Sequence, residues 1–182
     1  FEVKPKLFRR LSAGAAKSVI IQGIREGEHR AMQEAYEQKR GEIITATVLK
    51  IDRESGNIVV DTGTGRAVLL KSEQIPGESL RVDDRIKVYA LQVNSGEQRG
   101  PVVSLTRLHP DLVKRLFETE VPEIYDGIVE IKSVAREAGS RSKIAVYSRD
   151  DEVDAVGACI GNGGMRIATI VNELRGEKID IV

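Results

Sequence analysis

The chain has 182 residues with 28 basic and 28 acidic side chains, so its length allows one domain or two small ones, and no global charge draws it toward polyanions. A single cysteine and two histidines, His29 and His109, exclude an internal disulfide and a multi-cysteine zinc site, and no metal or other cofactor is expected. The longest apolar stretches, such as 19–21 and 58–60, fall far short of the ~20 residues that cross a bilayer. A cytoplasmic chain without membrane contact is therefore expected. The start at Phe1, with no charged-then-apolar leader, is read as that of a fragment rather than a secreted precursor.

Charge is unevenly placed: residues 1–40 carry nine basic and five acidic side chains, 41–107 nine and nine, and 108–182 ten and fourteen. Nucleic-acid binding by any segment must therefore come from local placement. With no tryptophan and few other aromatics, it must lean on backbone contacts rather than base stacking.

Residues 11–39 read as one amphipathic helix, because Ile20, Ile24, Ala31 and Ala35 recur near the 3.6-residue period between charged and amide side chains. Gly23 and Gly27 each cost about 1 kcal/mol against Ala, so this helix leans on a partner surface, as a stalk or interdomain helix does. Residues 1–10, with Pro5 and scattered basic side chains, read as the tail of a larger N-terminal element.

From Gly41 the period changes. Residues 42–51 are rich in Ile, Val and Thr, and turn residues then separate further strands at Ile58–Asp61, 66–70, 86–93 and 102–106. Five short strands in about 65 residues, with one longer connection at 71–82, match a five-stranded Greek-key barrel of the OB type. A barrel of this kind also serves as a purely structural module.

Beyond Leu108 the order is helix (110–118), short helix (121–125), strands 128–135 and 142–148, helix 154–160, a glycine-rich loop, helix 165–174 and a last strand 178–182. The expected fold class is α+β multidomain, divided as 1–40, 41–107 and 108–182.

The most specific feature is Ile160-Gly161-Asn162-Gly163-Gly164 between two helices, since a KH module uses a GxxG loop there to clamp about four nucleotides. Gly161 and Gly164 lack a Cβ, so the loop turns tightly and phosphates can approach the main chain at a helix start. Arg166, one turn further on, adds a candidate charge-assisted contact. Two glycines at this spacing also make a plain helix cap and turn. The surrounding element order favours the KH reading. A dinucleotide-binding loop fails, because no third glycine stands at the required spacing.

Val121-Pro122-Glu123-Ile124, Asp126-Gly127, Val134-Ala135-Arg136, Gly139-Ser140-Arg141-Ser142-Lys143-Ile144-Ala145-Val146, Val156-Gly157-Ala158-Cys159-Ile160-Gly161 and Asn172-Glu173-Leu174-Arg175-Gly176-Glu177-Lys178-Ile179-Asp180-Ile181-Val182 resemble the first KH domain of the bacterial NusA family. Gly41-Glu42-Ile43-Ile44 and Val103-Ser104-Leu105-Thr106-Arg107 resemble the edges of its S-one-type OB barrel, and 16–24 resembles the helix joining a polymerase-binding domain to that barrel. The resemblance implies a type II (prokaryotic) KH domain after the barrel. It further implies a non-enzymatic transcription elongation factor that modulates pausing, termination and antitermination. RNA polymerase, nascent single-stranded RNA and other antitermination factors are its implied partners, and a monomer is expected. Two departures stand out. Asn162-Gly163 is uncharged where many relatives have a basic residue, and Ala155 replaces a usual proline.

The candidate RNA-binding residues are Gly161, Asn162, Gly163, Gly164 and Arg166 at the loop, Arg136, Arg141 and Lys143 near the strand turn, and Arg66 and Lys71 on the barrel. Ordinary solvated charge is the alternative account of Arg136, Arg141 and Lys143. Tyr89, the single aromatic from 41 to 107, is a core residue or a stacking platform, and Cys159, His29 and His109 read as structural or incidental. Two other functions fit the same modules. One is an accessory region of an exoribonuclease or exosome, against which the barrel-first order and the leading helix count. The other is a protein-interaction scaffold without RNA binding.

Overall fold

The computed structural model describes residues 5–93 and 103–182. A helix, α1, runs over Pro5–Glu37, beginning earlier than the apolar period suggests. Ile20 and Ile24, which define that period, are exposed together with Val19 and Ile21. Among the described side chains of α1, burial is confined to the C-terminal end, where Met32 and Tyr36, one turn apart, pack into the barrel core. Tyr36 is fully buried, with its hydroxyl 2.5 Å from Thr62 Oγ1 and within 3.3 Å of the Gly65 carbonyl. A Cβ on Gly65 would lie 2.7 Å from Met32 Cε, so the glycine makes room for that methionine. The last turns of α1 thus pack into the barrel core.

The barrel strands are β1 (Ile43–Ile51), β2 (Ile58–Asp61), β3 (Arg66–Leu69), β4 (Arg85–Val93) and β5 (Val103–Thr106). They pair antiparallel in the order β3-β2-β1-β4-β5, and β3 also lies beside β5, so the sheet nearly closes on itself as an OB-type barrel does. Side-chain alternation sends Ile44, Ala46 and Val48 inward to meet Ile58, Val60, Leu69, Ile86, Val88 and Leu105. The connection at 94–101 and Val102 lie outside the described residues.

The second module comprises α2 (Pro110–Glu120), α3 (Pro122–Tyr125), β6 (Val129–Glu137), β7 (Arg141–Ser148), α4 (Ala155–Ile160), α5 (Met165–Glu173) and β8 (Lys178–Ile181). β6 and β7 form an antiparallel hairpin, and β8 joins β7 in parallel. Leu112, Leu116, Phe117, Cys159, Ile170 and Leu174 from the helices bury against Val129 and Ile144 of the sheet. His109 is the N-cap of α2, its Nδ1 accepting the Asp111 N–H at 3.2 Å, with Pro110 in the first turn where no N–H is needed. Cys159 is buried, and burial, reinforced by the nearby Glu123 charge, pushes its thiol up to about 11.

Barrel and second module share a core as well as a short linker. Ile75 and Tyr89 of the barrel belong to the buried cluster of the second module, Ile75 lying beside the Gly139 turn and Tyr89 stacking flat on His109 at 5.0 Å. Tyr89 is therefore a junction residue rather than a platform open to bases. Arg107 is fully buried, donating to Glu78 at 3.0 Å, to the Lys87 carbonyl at 2.6 Å, and to the Glu173 carboxylate and carbonyl at 3.0 and 2.9 Å.

Candidate nucleic-acid interface

The glycine loop is built by the helices on either side of it. Asp154 caps α4 by accepting the Val156 N–H at 3.1 Å, and α4 ends on Gly161, whose φ of 74° only glycine adopts without strain. Asn162–Gly164 forms a single 3-10 turn in which Gly163 and Gly164 also have positive φ. α5 then starts at Met165, presenting its first N–H groups on the loop side. The space beside Gly163 is open, with no atom within 4 Å of where a Cβ would stand, and beside Gly164 the nearest is Ile167 Cγ2 at 4.0 Å. Asn162 and Gly163 are exposed. Ile160 and Met165 are exposed apolar neighbours of the turn, Met165 at 71%. The turn is thus small, open and edged by the start of a helix.

Arg166 is not a free cation. Its stem lies over Gly161, where a Cβ would be 2.7 Å from Cγ, and its guanidinium donates to Glu123 at 2.8 Å and to the Ala158 carbonyl at 2.6 Å. It fastens the loop to α3 and α4 and contributes positive charge while partly neutralised. Nothing in the spacing of the sequence pairs Glu123 with a residue 43 positions away.

Arg136 departs from the expectation of a solvent-facing groove residue. Its side chain is 1% exposed, held bidentate by Glu177 at 2.9 Å with a further hydrogen bond to the His109 carbonyl at 3.0 Å. Glu177 also accepts from Ser142 Oγ at 2.5 Å and the Gly139 N–H at 3.0 Å. Burial raises the Glu177 carboxyl, but these donors outweigh it and hold the pKa below the ordinary value. Arg136 is thus a structural residue, because a charge this enclosed exists only with its partner.

Arg141 and Lys143 are exposed on β7, where Arg141 is ion-paired with Asp180. Together with Arg136 and Ile181 they line a depression of about 760 Å³ that the glycine loop does not join. On the barrel, Arg66 is exposed opposite Asp61 in register, and the exposed Lys71 drapes its stem over Gly56. Of the expected cations, Arg166 contacts the glycine loop, whereas Arg141 and Lys143 line a depression that the loop does not join.

Comparison with known proteins matches residues 107–182 to the NusA-like first KH domain. The whole chain is similar to proteins named transcription termination/antitermination protein NusA. It is 52% identical over 181 residues to that of Halalkalibacterium halodurans, covering 100% of this chain and 47% of the relative. It is 50% identical to that of Bacillus subtilis, covering 100% and 48%, and 41% identical to that of Thermus thermophilus, covering 100% and 46%. The chain spans about half the length of the curated relatives it matches. With a nearly closed barrel followed by this KH module, and with similarity running through every residue of both, the chain belongs to the NusA family.

Proposed function

We propose that this chain is the RNA-contacting segment of a non-enzymatic transcription termination/antitermination factor. The loop 161–164 takes the backbone of nascent single-stranded RNA, while α1 leads toward RNA polymerase. The observation that carries the RNA reading is the open, neutral turn of positive-φ glycines between α4 and α5, inside a segment matching the NusA-like first KH domain. Asn162 and Gly163 supply no charge, so phosphate is held by main-chain N–H groups and by the partly neutralised Arg166. The exposed apolar side chains Val19, Ile20, Ile21 and Ile24 support a protein partner on α1; the relatives' names point to the transcription machinery, and within it RNA polymerase is the partner of this reading. Other antitermination factors, a monomeric state and a cytoplasmic location complete the reading. Among the described residues no helix is long and apolar enough to cross a membrane.

The test is single-stranded RNA binding by fluorescence anisotropy, with Asn162 and Gly163 both replaced by Asp. Two carboxylates facing the phosphates remove most binding, while thermal unfolding changes little. Equal binding by both proteins overturns the loop assignment and favours the scaffold reading. That reading draws support from the ion pairs that already occupy Arg166 and Arg141.

A further inference from the structure

Between the outer face of β4 and the helices of the KH module lies a groove of about 320 Å³, lined by Arg85, Lys87, Leu116, Glu120, Asn172 and Arg175 among others. Its lining carries three cations, Arg85, Lys87 and Arg175, and two carboxylates, Glu120 and Glu173. Arg85 pairs with Thr47 through the β1–β4 ladder, while its side chain is exposed and has no ion pair or hydrogen bond among the described residues. Lys87 rests its ammonium on Thr45 Oγ1 at 2.8 Å, a neutral partner. Arg175 shares one bond, at 3.2 Å, with Asp84. On the acidic side, Glu173 is already committed, its Oε1 accepting from Arg107 at 3.0 Å and from the Lys87 main-chain N–H at 2.8 Å. Glu120 is the remaining carboxylate of the lining. Asn172 adds an exposed amide that can donate to phosphate or to a base edge.

The groove is continuous with the glycine loop along one helix face. Met165, Ala168, Thr169 and Asn172 are the exposed positions of α5, and they recur at the three-to-four-residue spacing of a single stripe. That stripe begins at Met165, next to the last glycine of the loop, and ends at Asn172 in the groove, about 10 Å away at 1.5 Å per residue. A few nucleotides of extended strand bridge this distance.

We infer that the junction groove is a second backbone-binding position for the strand held at 161–164, with Arg85, Lys87 and Arg175 meeting its phosphates. The inference rests on the RNA-binding reading and deepens it, since it gives the barrel a share in the same site. The buried Arg107 network lies directly beneath the groove through Glu173 and Lys87, so barrel cations and KH loop keep a fixed spacing and the strand meets a preorganised pair of sites.

The experiment compares binding of a tetranucleotide and an octanucleotide of single-stranded RNA across a salt series. The proteins are the unmodified chain, Arg85→Gln, and the double variant Arg85→Gln with Lys87→Gln. The octanucleotide is expected to bind the unmodified chain about tenfold more tightly than the tetranucleotide, with a steeper salt dependence. The double variant loses that gain while its tetranucleotide affinity is unchanged, and the exposed Arg85→Gln alone loses part of it with an unchanged thermal melt. An octanucleotide gain that survives in both variants overturns the proposal and leaves the loop reading intact. The same holds if the two lengths bind the unmodified chain equally. An acidic hexapeptide that competes for the groove as well as RNA does overturns it in favour of an acidic protein segment. If the unmodified chain binds neither RNA, the RNA-binding reading itself fails, and the groove assignment with it.

Discussion

The Arg107 guanidinium, at the end of the barrel, donates at 3.0 Å to Oε1 of Glu173 on the last KH helix, and that same oxygen receives the Lys87 main-chain N–H at 2.8 Å. One carboxylate thus joins a buried arginine to the barrel sheet across two modules. A fully enclosed guanidinium holds its charge only if its donors are satisfied, and here Glu78, the Lys87 carbonyl and both oxygen types of Glu173 do so. Three residues of linker, a shared core through Ile75 and Tyr89, and this network make the barrel and KH module one mechanical unit.

Replacing Arg107 by Ala should therefore cost about 3–5 kcal/mol, because Glu78 and Glu173 are left without their partner. The loss should appear as two separated unfolding transitions where the unmodified chain shows one. Urea denaturation followed by far-UV circular dichroism measures it. A loss below about 1 kcal/mol with a single transition would show that the shared apolar core couples the modules without the arginine.

Glu177→Gln makes a pH-dependent prediction. The Glu177 carboxyl titrates below its unfolded-chain value of ~4.3, so its stabilisation is complete above that value and is lost as pH falls through the lower folded value. At pH 7 the substitution leaves Arg136 buried without its counter-charge and should destabilise by about 3 kcal/mol. As pH falls below about 4 the gap between the two proteins should narrow, since the native carboxylate is being protonated. Denaturant midpoints at pH 7 and in acid supply the comparison, and a gap that is constant with pH contradicts the ion-pair account.

Why some of this was legible and some was not follows from the range of the interactions. The barrel strands fall within about a residue of their expected bounds because turn residues such as Ser55-Gly56-Asn57 and Thr62-Gly63-Thr64-Gly65 act locally. The helix–loop–helix at 154–174 was readable for the same reason, since Asp154 and the glycines cap their own neighbours. Arg136, by contrast, looks like any arginine at the end of a strand, and its role is fixed by Glu177, 41 residues away. Tyr36 was equally opaque. It sits on a helix whose apolar period is carried by Ile20 and Ile24, and only the tertiary fold shows that the barrel takes Tyr36 and leaves those isoleucines in solvent. Periodicity reports which side chains share a face; it does not report which turn of that face finds a partner.

Tyr36 gives the next prediction. A truncation that removes residues 1–25 should leave the barrel stable, because the side chains from 14 to 25 are exposed. Removing residues 1–40 takes Met32 and Tyr36 out of the core and should destabilise the barrel by about 3–5 kcal/mol, the cost of deleting a large buried aromatic. Tyr36→Ala in the full chain should reproduce most of that loss. Equal melting temperatures for the two truncations would mean that the barrel closes over the vacated space at little cost.

The loop glycines make the sharpest contrast, because two positions with similar φ differ in what surrounds them. Gly161 has φ 74° and faces the Arg166 stem, 2.7 Å from where a Cβ would lie, whereas Gly163 has φ 61° and faces open space. Gly163→Ala should therefore cost only backbone strain, about 1 kcal/mol, and leave Arg166 on Glu123. Gly161→Ala adds the displacement of Arg166 from Glu123 and the Ala158 carbonyl, for a total of about 2–3 kcal/mol. RNA affinity should follow a different order: the methyl of Gly163→Ala stands in the space where phosphate approaches and should weaken binding with little effect on folding. Urea midpoints and RNA anisotropy on the two single variants separate these effects. If Gly163→Ala binds RNA as well as the unmodified chain, the strand does not pass over the open side of the turn.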